Sequence, residues 1–171
     1  MLTRIDHVGI ACRDLEETVA RYCSVFGLTV ASREVIEEQG VREAMLLVAT
    51  AGPGAEYGPS YIQLLEPLTP GSPVGKFLAR RGEGIHHIGY AVTDVRSALA
   101  EVGGAGVRLI DERPRHGSLG ASIAFLHPAD LGGVLTELVE PKWPPKCPLY
   151  STNIRTMTDI VLSDRKHRSQ S

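Results

Sequence analysis

Ile5-Asp6-His7-Val8-Gly9-Ile10-Ala11 returns as Ile85-His86-His87-Ile88-Gly89-Tyr90-Ala91, identical at four of seven positions and offset by 80 residues. Asp14-Leu15 returns as Asp94-Val95 at the same offset. Gln63-Leu64-Leu65-Glu66-Pro67 returns as Glu137-Leu138-Val139-Glu140-Pro141 at an offset of 74. Three matches in the same order indicate one structural unit used twice. Two copies sharing a core severely limit the folds open to the chain. The smaller last offset makes the second copy six residues shorter between its landmarks.

Each copy reads as strand, helix and three strands. An apolar β-rich segment opens it, at about 4–12 and again at 85–92. A helix follows, capped by Asp14 with Glu17 three positions on, carrying Val19, Tyr22, Cys23 and Phe26 on one face and stopped by Gly27. The second helix runs from near Asp94 to Gly103-Gly104. Strands are expected at 28–37, 42–49 and 60–66, then at 106–112, 120–127 and 133–139, with turns at Gly52-Pro53-Gly54 and Gly132-Gly133. The reading is an α+β protein of tandem βαβββ modules: 1–66, a short helical linker at 67–84 with Val74, Phe77 and Leu78 at helical spacing, 85–140, and a proline-punctuated basic tail at 141–171.

The length of 171 residues allows a sizeable core, and 43% hydrophobic with 22% charged residues is a globular balance. No apolar run reaches the roughly 18 to 20 residues a membrane span needs. Met1-Leu2-Thr3-Arg4 leads straight into a strand-like segment, so no secretory signal is expected. Cys12, Cys23 and Cys147 have no metal-type spacing, so reduced thiols and a cytoplasmic location are expected. Residues 1–140 carry 12 Lys/Arg against 18 Asp/Glu, an acidic body that argues against nucleic acid as a partner. The tail has six basic and two acidic residues and reads as a solvated end.

Side chains alternate along a strand, so His7 shares a face with Gly9 and Ala11, and His87 with Gly89 and Ala91. The small neighbours leave room for something bulky. Gln63 lies in line with Tyr61 and Leu65, and Glu137 with Leu135 and Val139. His matches His and Gln matches Glu across the repeat, so a pseudo-two-fold brings all four to one axis. A lone strand His or Gln is more often a hydrogen-bonded core residue; the fourfold match is what favours a metal site. Two imidazoles and two oxygens suit cobalt, manganese, iron, nickel or zinc. His86, one position over, is expected to face the other way, as a structural or supporting residue.

At these residues the sequence resembles the vicinal oxygen chelate superfamily and, within it, the methylmalonyl-CoA epimerase family. The resemblance covers about residues 4–140. It rests also on Glu38-Gln39-Gly40-Val41-Arg42-Glu43-Ala44-Met45, Gly82-Glu83-Gly84-Ile85-His86-His87-Ile88 and Phe125-Leu126-His127-Pro128. It implies eight strands forming a half-open, barrel-like cleft, a homodimer, and one divalent metal ion, cobalt or manganese first, held by residues matching His7, Gln63, His87 and Glu137. It implies Glu43 and Glu137 as the acid/base pair, and an acyl-CoA substrate: the interconversion of 2R and 2S methylmalonyl-CoA, or of a close relative such as ethylmalonyl-CoA, through an enolate. Cation coordination reduces a carboxylate's basicity, which favours Glu43 over Glu137 as the base.

One position departs from the family's pattern. The segment Gly117-Ser118-Leu119-Gly120-Ala121-Ser122-Ile123 has Ser122 where a basic residue is common, with Arg113 and Arg115 as possible substitutes. Two other readings stand beside the epimerase: another enzyme of the superfamily, such as a dioxygenase or lyase, and a resistance-type protein that binds a small molecule. A fourth ligand argues against oxygen chemistry, and retention of all four ligands argues against simple binding.

Overall fold

The computed structural model describes residues 1–49 and 58–142. The expected turn at Gly52-Pro53-Gly54 and all but the first two residues of the tail lie outside them. Strand β1 (Leu2–Ala11) leads to helix α1 (Leu15–Phe26), then β2 (Thr29–Ile36), β3 (Val41–Ala49) and β4 (Ser60–Pro67). Helix α2 (Pro73–Arg81) connects to β5 (Gly84–Val92), helix α3 (Val95–Gly104), β6 (Arg115–His116), β7 (Ser122–Leu126) and β8 (Thr136–Glu140).

All eight strands form one mixed sheet in the order β2-β3-β4-β1-β5-β8-β7-β6. The order is palindromic with respect to the repeat. β1 pairs antiparallel with β5 at the centre, and each pairs parallel with the last strand of its own copy, β4 or β8. The pseudo-two-fold therefore passes between β1 and β5. The sheet curls into a half-open barrel, the fold the repeat and the resemblance led us to expect.

Strand alternation divides the core into an outer layer and a lined cleft. On one face Ala44, Leu46 and Leu64 are buried against Leu15 and Val19 of α1. The equivalent Ala124, Leu126 and Leu138 are buried with Val95, Leu99 and Val102 of α3. The alternate residues, Glu43, Gln63 and Glu137 among them, face the interior of the curl. Helix α2 sets Val74 and Leu78 against Ala11, Val41 and Leu65 at one end of the cleft.

The helix starts show why Glu66 and Glu140 recur. Asp14 accepts a hydrogen bond from Glu17 N at 2.9 Å, and Asp94 one from Ser97 N at 2.6 Å. Glu66 also accepts from Leu15 N at 2.8 Å, and Glu140 from Val95 N at 3.0 Å. Each copy thus closes on itself: the end of its last strand caps the first turn of its helix. Gly27, at φ 67°, ends α1.

Two expectations need correction. Phe26 is exposed and does not join the packed face of α1. The strand expected at 106–112 is irregular, with one isolated bridge between Leu109 and Leu126. There, Ile110 N and Asp111 N both donate to Phe125 O, while Phe125 N donates to the Asp111 carboxylate at 2.8 Å. A side chain takes the place of a ladder carbonyl, and the second copy's counterpart of β2 shrinks to the two residues of β6.

Candidate metal centre and acid/base site

The β1–β5 pairing puts Gly9 opposite His87 and Gly89 opposite His7. A Cβ on either glycine would run into the facing imidazole. The small residues beside each histidine therefore make room for the other histidine. As a result, His7 Nε2 and His87 Nε2 come within 3.0 Å. Glu137 Oε2, from β8, lies 2.8 Å from the first and 3.3 Å from the second. All three residues are at most 4% exposed.

The register of β1 against β5 slips by one residue at Asp6 and again at His86, immediately before each histidine. Such bulges re-aim side chains. Asp6 Oδ1 sits 3.2 Å from His7 Nδ1, and His86 Nδ1 sits 3.1 Å from His87 Nδ1. With Nδ1–H donating to these acceptors, both Nε2 lone pairs are left for the centre. His86 was expected on the opposite face; the bulge turns it toward His87 instead, although its expected supporting role agrees with this contact.

His7, His87 and Glu137 form a divalent-metal-binding triad. Bonds of roughly 2.1 Å at right angles separate neighbouring donors by about 3 Å, close to the spacings found here. Glu137 Oε2 makes no hydrogen bond of acceptable direction despite its close neighbours, and Gln63 Oε1 is also buried without a partner. Orphaned buried acceptors are costly unless something binds them. Burial would lower the His7 imidazolium, but Glu137 and Asp6 override it and raise its pKa to about 10. Burial alone would raise Glu137, but His7 and His87 hold it well below the usual carboxylate range. His87 is lowered by burial. A proton on His7 thus occupies the charge position a cation would take.

Glu43 and Gln63 lie beside this cluster on β3 and β4. Gln63 Nε2 donates to Glu43 Oε2 at 2.7 Å and to Ser118 Oγ at 2.9 Å. Glu43 is 1% exposed, and its Oε1 has no partner. Burial pushes its carboxyl up to about 7, with Glu34 and Glu137 adding to the effect and Ser118 and Gln63 opposing it. The structure thus brings together all five residues singled out from the sequence.

Ser118 is the residue sequence reasoning passed over. It sits in a turn where Gly117 packs against Ile123 and Leu119 adopts φ 55°, a left-handed conformation rare for a non-glycine. Glu34 holds that turn by accepting from Leu119 N at 3.0 Å. The only sequence signal was the flanking pair Gly117 and Gly120. Ser122 lines none of the cavities that reach His7, His87 or Glu137. Arg115 does, beside Phe125, with its guanidinium 5.3 Å from that ring and 3.1 Å from Asp111.

Residues 6–125 match the family model described as the Glyoxalase/Bleomycin resistance protein/Dioxygenase superfamily, and the paired modules with a shared metal-ligand cluster define the chain as a member. A solved structure of a methylmalonyl-CoA epimerase in complex with methylmalonyl-CoA and NH4+ is 52% identical, with a TM-score of 0.79, covering 84% of this chain and 97% of the other. A variant of the Streptomyces coelicolor methylmalonyl-CoA epimerase, in complex with 2-nitronate-propionyl-CoA, is 51% identical with the same TM-score, covering 84% and 97%. The ethylmalonyl-CoA/methylmalonyl-CoA epimerase of Cereibacter sphaeroides is 35% identical over 140 residues, 81% of this chain and 98% of that protein. The chain belongs to the methylmalonyl-CoA epimerase family. Among the described residues, no helix is long and apolar enough to cross a membrane.

Proposed function

We propose that this protein is a metal-dependent epimerase that interconverts the 2R and 2S forms of methylmalonyl-CoA. The observation that carries this reading is a buried carboxylate, Glu43, with one free oxygen and a raised pKa, beside the triad of His7, His87 and Glu137. Inverting a carbon next to a thioester means removing its proton and returning one to the opposite face. Glu43 is the base that takes the C2 proton. Burial keeps its pKa high enough for effective proton abstraction while the pair of donors from Gln63 and Ser118 stabilises the carboxylate.

His7, His87 and Glu137 hold the metal, and Gln63 Oε1 is the fourth donor. A divalent cation there supplies fixed positive charge against the oxyanion of the enolate. Cobalt and manganese are the first candidates, with zinc, nickel and iron also compatible with two nitrogens and two oxygens. Asp6 and His86 orient the two imidazoles. Glu137, named with Glu43 as an acid/base candidate, is held ionised by both histidines and acts as a ligand. The proton for the second face then comes from water. The full donor set argues against a dioxygenase, which needs more open positions, and against a protein that merely sequesters a small molecule.

We also assign the protein a homodimer. Leu2 and Ile5 are exposed on the central strand β1, where a second copy would cover them. The test of the function starts from single-epimer methylmalonyl-CoA and protein loaded with cobalt or manganese. Nuclear magnetic resonance with a chiral shift reagent should show relaxation to both epimers. Ethylmalonyl-CoA run in parallel tests the acyl group. Retention of configuration with metal-loaded protein would sink the assignment.

A further inference from the structure

Resting on the epimerase reading above, we infer that Glu34 is a positioning residue: its bond to the Leu119 amide holds Ser118 against the base, Glu43. Glu34 lies on β2, at one end of the eight-strand order, whereas the turn at 117–121 joins β6 to β7 at the other end. The hydrogen bond from Leu119 N to the Glu34 carboxylate, 3.0 Å long, therefore ties the two ends of the sheet together across the open side of the curl. The turn fixes itself only in part. Gly117 N donates to Ala121 O and Ala121 N to Ser118 O, both at 3.0 Å. Neither bond engages Leu119 N, and Leu119 sits at φ 55°, where a Cβ is strained. Glu34 supplies the acceptor that this amide needs, from a residue 85 positions away.

Local stability does not account for a glutamate at this position. The β2–β3 register sets Glu34 directly opposite Glu43, and like charges so placed in a strand pair repel. What the arrangement gains lies at the far end of the bond. Leu119 N belongs to the peptide plane that begins at Ser118, so anchoring that plane fixes where the Ser118 side chain starts. Ser118 Oγ then accepts from Gln63 Nε2 at 2.9 Å, while the same nitrogen donates to Glu43 Oε2 at 2.7 Å. Ser118 also hydrogen-bonds the Glu43 carboxyl. Ser118 and Leu119 wall the cavity that reaches His7 and Glu137. Releasing the turn would withdraw a donor from the base and loosen that wall, with Glu43, Gln63 and the triad left in place on their strands.

The test compares Glu34→Ala with Glu34→Gln, which keeps an acceptor oxygen at the same reach, in two measurements on the full chain. The first is amide hydrogen exchange at Leu119, read by nuclear magnetic resonance on zinc-loaded protein, and it needs no turnover. Glu34→Ala should speed exchange at Leu119 by at least about tenfold while the amides of β4 stay protected, and Glu34→Gln should restore most of the protection. The second is epimerisation kinetics with cobalt-loaded protein. In Glu34→Ala, kcat should fall by about tenfold to a hundredfold with KM within about twofold of the wild type, and Glu34→Gln should recover most of kcat. Unchanged exchange at Leu119 in Glu34→Ala would overturn the inference, as would an undiminished kcat. An equal loss of kcat in both variants would overturn it too, because the charge and not the bond would then matter. Faster exchange at Leu119 in Glu34→Ala, from a wild-type protein that leaves methylmalonyl-CoA unchanged, would sink the epimerase reading and uphold the bond that holds Ser118.

Discussion

At the scale of single residues, the Glu43 carboxylate and the donor cluster of His7, His87 and Glu137 lie side by side in a buried site. Glu43→Gln keeps the shape and the hydrogen-bonding length but removes the base. Proton abstraction at C2 should fall by about a hundredfold or more, with metal content unchanged by elemental analysis. Retained turnover would remove Glu43 from its role. A second prediction concerns the proton on His7, whose pKa is raised to about 10 by Glu137 and Asp6. A cation needs the neutral ring, so binding must expel that proton. Below the raised pKa, each unit of falling pH should weaken the apparent metal affinity by about tenfold, and each rising unit should strengthen it until the ring is neutral. Calorimetry in buffers of different ionisation enthalpy would count the released proton. Affinity that does not change with pH would contradict the imidazolium–carboxylate pair. Asp6→Asn should weaken the metal by about 10- to 100-fold, because the carboxylate that accepts from His7 Nδ1 becomes a neutral amide.

At the scale of elements, each module is locked by one carboxylate at its helix start. Glu66→Gln and Glu140→Gln each remove an ionised acceptor from a first-turn N–H and should cost about 1 kcal/mol in urea denaturation. The two caps lie on opposite halves, so their effects should add; strong non-additivity would show that the modules do not hold their helices independently. These caps also show how far the sequence could be read. The repeat of Glu66 at Glu140 was visible, as were His7, Gln63, His87 and Glu137, because matched positions survive any change of register within a copy. The side on which His86 falls was not visible, since a bulge adds a residue that strand alternation cannot anticipate. Ser118 was also hidden: its place depends on the left-handed turn at Leu119 and on Glu34, 85 residues away from the N–H it accepts. The strand expected at 106–112 failed for a related reason, because the Asp111 side chain satisfies the Phe125 N–H that a ladder partner would otherwise take.

At the scale of the whole molecule, the two copies meet along β1 and β5, and the donor cluster sits on their shared axis. Neither copy carries a metal site alone: His7 comes from the first, His87 and Glu137 from the second. Metal binding therefore couples the halves. Saturating metal, at about 100 times the dissociation constant, should add about 2.7 kcal/mol to unfolding stability, read as a higher Tm that returns to its starting value with chelator. The most direct test of the central claim, that Glu43 and the triad together ionise the carbon next to a thioester, is deuterium entry at C2 of methylmalonyl-CoA in deuterated water, with and without chelator. Exchange is expected in the metal-loaded protein, with loss on chelation and return when metal is restored. Absence of exchange in the metal-loaded protein, or exchange at the same rate after the metal has been removed, would contradict that claim.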